Sequence, residues 1–149
     1  MSPNGASMIV PRWVKRLDKI PEEAAYKALN TSRDYLRDEA RRNASKGGPN
    51  GLRVRSGRLL RSIRTYLKTT KTGGELSLGM AFYGWVHDRG AVIVPKKAGR
   101  LRFFIPGVGW RTAMRVVLPE RRWARNAVEA TQKKYPQFLR QAIRQAVRA

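Results

Sequence analysis

The chain has one histidine, His87, and it stands beside Asp88. An imidazole next to a carboxylate is the smallest apparatus for moving a proton, with the ring as general base or acid. Two facts argue against that use. Neighbouring residues on a turn point in different directions, and no motif places a serine or a second carboxylate nearby. The sequence therefore predicts a hydrogen-bonded histidine that fixes a local turn, in a chain that is not an enzyme. There is no cysteine, which removes the thiol nucleophile, the disulfide scaffold and the cysteine-ligated zinc site together. One histidine and scattered carboxylates are too few for a metal centre. Gly73-Gly74 and Gly107-Val108-Gly109 lack the Lys-Ser/Thr that follows a phosphate-binding loop, so they read as ordinary turns. No catalytic residue, metal site or cofactor is predicted.

The chemistry this chain does carry in quantity is positive charge. Its 149 residues include 32 Lys and Arg against 10 Asp and Glu, a net charge of +22. Such a chain repels itself at low salt and attracts anions. Nucleic-acid phosphate is the commonest partner of that kind. By charge alone, an acidic protein surface, an anionic membrane or plain solvation would also serve. Arginines and aromatics interleave around Arg100 to Phe104 and Arg121 to Trp123, as they do on stacking platforms for bases. A plainer reading is strand alternation, with Phe103 or Phe104 in the core and Arg102 on the surface. No recognition-helix or ribonucleoprotein motif is visible.

The elements that must position these residues form one domain's worth of chain. Residues 1–20 read as an arm, opened by Pro3, Asn4 and Gly5, with Trp13 and Leu17 on a short amphipathic turn. The polar start and the lack of a long apolar run predict a soluble protein without a signal peptide or membrane span. A helix is predicted from Pro21 to about Asn43, because Ala25, Ala28, Leu29, Ser32, Tyr35, Leu36 and Ala40 recur at three-to-four spacing. Pro21 suits a first helical position, and Glu22 and Glu23 face the positive helix end. The run from Lys46 to Gly51 is a loop. Strands are predicted over 62–71 and over the alternating Leu76, Leu78 and Met80, joined by a turn at Thr72-Gly73-Gly74. The aromatic segment 81–90 reads as one helical turn and a bend. Further extended pieces run from Ala91 to Val94, Leu101 to Ile105 and Met114 to Leu118, with a basic loop between the first two. Helices return after Glu120, interrupted by Pro136. The predicted class is α+β: an antiparallel sheet of about four strands packed with a long N-terminal helix and C-terminal helices.

Within this order lies Ser56-Gly57-Arg58-Leu59-Leu60-Arg61-Ser62-Ile63, in a segment, 40–74, that contains no acid. Ser56 is placed to cap a turn, Gly57 gives the bend its freedom, and Leu59, Leu60 and Ile63 are apolar anchors. Three further pieces follow. They are the aromatic turn Tyr83-Gly84-Trp85-Val86-His87-Asp88-Arg89-Gly90, the proline-ended strand Val116-Val117-Leu118-Pro119, and Glu120-Arg121-Arg122-Trp123 with its helix. In this order the four pieces resemble the tail-completion, neck and virion morphogenesis proteins of tailed bacteriophages, over about residue 21 to the end. Trp123 stands where that family usually has Phe, Arg122 where Pro is common, and Asp88-Arg89 before the glycine also departs from the pattern. The segment from Val92 to Gly109 is longer than in compact members.

The resemblance implies a structural virion protein. Its domain, 21–149, would form a ring, commonly sixfold, at the head–tail junction around the DNA channel. The partners implied are other copies of the chain, the neighbouring head-completion or connector proteins and the tail-tube proteins. The alternatives are a tail terminator that caps the tube and a free, non-specific nucleic-acid-binding protein. The arm 1–20, the loop 46–51 and the basic loop 95–100 would hook subunits together. A basic lumen would contact packaged DNA through phosphates, independently of sequence. The acid-free segments 40–74 and 89–119 supply its candidates: Arg53, Arg55, Arg58, Arg61, Arg64, Lys96, Lys97 and Arg100. The same residues could instead meet an acidic neighbour and steer assembly.

Overall fold

Small residues at three-to-four spacing let two helices lie close together. A computed structural model describes residues 19–48, 52, 57–70 and 73–148. The first helix, α1, spans Lys19–Ser45, and the last, α4, spans Trp123–Arg148. They run antiparallel: Lys27 Nζ near the start of α1 donates to Gln145 at the end of α4 (2.6 Å), and Asn43 donates to the Trp123 carbonyl (3.2 Å). Their shared face buries Ala24, Ala25, Ala28 and Leu29 against Tyr135, Leu139 and Ala142 at one end. At the other end Leu36, Ala40 and Ala44 meet Trp123, Ala124, Ala127 and Val128. Ser32 and Thr131 are also buried, and each hydroxyl donates to the carbonyl one turn back (both 2.8 Å), which satisfies it locally.

A single hairpin covers this helix pair. Strand β1 (Arg64–Thr70) pairs antiparallel with β2 (Gly73–Gly79), with Leu67 opposite Leu76 and Thr65 opposite Leu78. Leu76 and Leu78 are buried, one in each half of the core, while Glu75 before them is exposed and Ser77 between them is half-buried. The alternation seen in the sequence is therefore the real burial pattern. The short helix α2 (Arg58–Ser62) leads into β1, and Ile63 between them is fully buried. Helix α3 (Phe82–Arg89) follows β2.

The class is α+β, but the strands are divided differently from the single sheet of about four predicted above. Among the described residues there are six strands in three two-stranded antiparallel ribbons. Beyond β1–β2, strand β3 (Ala91–Ile93) pairs with β6 (Val116–Leu118), and β4 (Leu101–Ile105) pairs with β5 (Gly109–Ala113). The two pairings are nested, so residues 91–118 make one long β-arm folded back on itself. Strand β5 begins at Gly109, which the sequence reads as part of a turn, and the last strand is shorter than predicted. The C-terminal helices are in fact one: Pro136 lies inside α4. Pro136 sits on the exposed side, and the packing of Tyr135 and Leu139 holds the helix together across the missing hydrogen bond. The eight residues of α3 are also more than the single turn expected.

Candidate functional site

The four sequence pieces singled out above meet at one junction, built around Asp88. Gly57 stands at the start of α2 with φ 68°, a left-handed conformation natural to glycine. Ser56, expected to cap this turn, lies outside the described residues, as do Arg53 and Arg55. Leu59 and Leu60 pack on the core half that contains Ile63 and Trp123. Ser62 Oγ accepts from the Ala81 amide (3.0 Å), which ties α2 to the start of α3. A Cβ on Gly84 would lie 2.7 Å from Leu59, so α3 approaches α2 as closely as its glycine allows.

At the other end of α3, Gly90 adopts φ 75° and ψ 163°, a region that is essentially glycine's alone. A Cβ there would meet the Leu118 carbonyl at 2.8 Å and the Glu120 nitrogen at 2.9 Å. Chain entering the β-arm and chain leaving it, at Pro119, therefore touch backbone to backbone. Asp88 lies two residues before Gly90 and is fully buried. Its Oδ1 accepts from the amides of Ala124 (2.8 Å) and Arg125 (3.4 Å), in the first turn of α4. Its Oδ2 accepts from Arg125 Nε (3.1 Å), and its carbonyl accepts from the Arg122 amide (3.0 Å). The carboxylate caps a distant helix, meeting orphan amides and the positive helix end at once. Arg122, directly before α4, has φ 54°, a strained value for a side-chain-bearing residue. Its amide bond to Asp88 and its ion pair with Glu129 (2.9 Å) hold it there. Arg125 also pairs with Glu120.

His87 does not play the part expected of it. Its ring is half-buried, and Nδ1 is buried without a hydrogen-bond partner. Burial, assisted by the positive charge of Arg121, pushes its pKa below the usual 6.5. The neutral form is therefore favoured, and the neighbouring carboxylate is turned away into the α4 cap. The pair is not arranged for proton transfer. Asp88 is the residue that sequence reasoning missed. Its only signal was the absence of Ser, Thr, Asp or Asn just before Trp123, which leaves the helix start uncapped locally. Trp123 itself is fully buried, and its indole N–H has no partner. Among the described residues no three or more His, Asp or Glu side chains gather as metal ligands. None of the described helices is long and apolar enough to cross a membrane.

The remaining predicted cations fall on α2, on β1 and in one segment of the arm. Arg58 and Arg61 lie on α2 and Arg64 opens β1, all exposed. Lys96, Lys97 and Arg100 lie in the segment between β3 and β4, also exposed. That segment bulges from the arm, because residues 94–100 on one side face only 114–115 on the other.

The arm itself is the larger surprise. Val92, Ile93, Val94, Phe104, Val108, Trp110, Met114 and Val117 are all exposed large apolar residues. Phe103 is partly covered, but Phe104 is 56% exposed, so neither ring is core. Phe104 pairs with Trp110 across the ribbon, ring edge to ring face at 5.6 Å. The Arg102 guanidinium lies over the Trp110 ring at 4.7 Å. A two-stranded ribbon has no second layer, so its apolar side chains stay in water until something covers them. Comparison with protein-family models, with curated proteins and with solved structures returned no match.

Proposed function

We propose that the protein is a structural virion subunit of a tailed bacteriophage. In this reading it forms a homo-oligomeric ring at the head–tail junction, around the DNA channel. The observation that carries the reading is the β-arm, whose exposed apolar residues ask for a partner. A second copy of the chain is the partner that a ring supplies, with the arm of one subunit laid on its neighbour in a head-to-tail cycle. Support also comes from the junction: the pieces that carry the resemblance, from α2, α3, the end of β6 and the start of α4, pack on one another there. Work of this kind is assembly, and no step in it requires turnover. The charge of +22 favours packaged DNA as the anion beside the ring.

The test is mass and shape. Purified full-length protein is expected to form rings by light scattering and negative-stain imaging. The double variant Phe104→Ser/Trp110→Ser is expected to stay monomeric with an unchanged melting temperature. A wild-type monomer at every concentration, binding nucleic acid in a salt-dependent way, would favour the free nucleic-acid-binding protein. Imaging particles assembled without the protein separates the remaining roles. Full heads beside finished, detached tails mark a joining protein; tails of unregulated length mark a terminator.

A further inference from the structure

The outer face of α4 carries a stripe of cations uninterrupted by acid. Lys133, Arg140, Arg144 and Arg148 recur at helical spacing, with Gln137 completing the row, and all are exposed. On the opposite side Tyr135, Leu139 and Ala142 are buried against α1. Beyond Glu129 the helix has no acid. Other helical arginines are neutralised locally: Arg33, Arg37 and Arg42 on α1 and Arg125 on α4 each meet a carboxylate. Among the described residues the four stripe cations meet none. From Lys133 to Arg148 the stripe is about 22 Å long, at 1.5 Å rise per residue.

We infer that this stripe binds the backbone of double-stranded nucleic acid, tracking phosphates without reading bases. Four like charges on one rigid face repel one another, and an anion that spans their length relieves that repulsion. A duplex offers one negative charge per about 1.7 Å of its axis, a continuous supply along the helix. Arginine's planar fork matches phosphate oxygens, and Gln137 adds an amide donor of the kind that positions backbones. A membrane surface fits less well. An interfacial helix inserts an apolar face beside its cations, and the apolar face of α4 is already spent on α1. The stripe is longer than the row of cations on α2. It works in a monomer or a ring, so the inference stands apart from the assembly reading.

The experiment measures anisotropy of a labelled random-sequence duplex with full-length protein across a salt series. The triple variant Arg140→Gln/Arg144→Gln/Arg148→Gln is compared with Arg58→Gln/Arg61→Gln/Arg64→Gln, which removes the same charge elsewhere. The α4 triple is expected to weaken binding at least about tenfold and to flatten the log–log salt slope by about 2.7, while the α2 triple changes little. Equal losses in the two triples would reduce the effect to net charge and overturn the inference. So would a larger loss in the α2 triple, or binding of phosphatidylserine vesicles but not of duplex. Circular dichroism checks folding; should the triple fail to fold, Arg144→Gln alone is expected to flatten the slope by about 0.9. Oligomer mass is read on the same samples. Stripe-dependent binding by a monomer removes the ring and keeps this inference; stripe-independent binding by a ring does the reverse.

Discussion

Asp88 caps a helix whose amides lie 36 and 37 positions further along the chain. Removing its carboxylate by Asp88→Ala strips two amides of their acceptor and takes a partner from Arg125. The expected loss is about 2 kcal/mol in urea melts, held down because Arg125 is partly in water and keeps Glu120. Asp88→Asn keeps an acceptor oxygen and is expected to lose about half as much. His87 sets a pH dependence beside it. Its pKa is lowered in the folded protein, so below 6.5 the unfolded chain takes up a proton that the native ring resists. Stability is therefore expected to fall as pH drops through that value, and His87→Gln is expected to flatten the fall in melts from neutral to mildly acid pH. Neither role could be read from His87-Asp88 as neighbours. A cap supplied across the fold leaves no spacing in the sequence, whereas the apolar anchor Ile63 was legible because its pattern is local.

Elements show the same division. Helix α1 and strand β2 were legible because their apolar residues repeat at the period of the side they bury. In the arm β3, β4 and the end of β6 were legible, but β5 was not, because three consecutive exposed residues, 110–112, leave it no burial period, and the pairing into two ribbons leaves no mark in any one strand. Pro136 suggested two helices, yet residues on either side of it pack into one core. The cations Lys133, Arg140, Arg144 and Arg148 of α4 do have a helical period. The arm hangs from Gly90 and Pro119, so its tip contributes little to the core. Phe104→Ser/Trp110→Ser is accordingly expected to change global stability by about 0.5 kcal/mol or less, measured by chemical denaturation. If the same variant unfolded the core, the arm would be an internal support and not a free surface.

At the scale of the molecule, charge and chain order matter most. A net charge of +22 on 149 residues pushes the folded state apart, and salt screens that push. The melting temperature is expected to rise by a few degrees with added salt, and more steeply with sulfate than with chloride. A melting temperature that falls with salt would mean that the ion pairs along α1 and α4 outweigh the repulsion. The antiparallel pairing of the first described helix with the last has a further consequence, one of timing. The core halves close only when α4 arrives, and α4 is made after every other described element. While the ribosome is still at work, α1 and the β1–β2 hairpin wait with their apolar faces open, and the arm emerges before the helix that would anchor its base. Such a chain folds once α4 is made, through contacts distant in sequence, and its vulnerable interval is its own synthesis. Chains cut short before Trp123 are expected to be found with chaperones or in aggregates, never as half-folded domains.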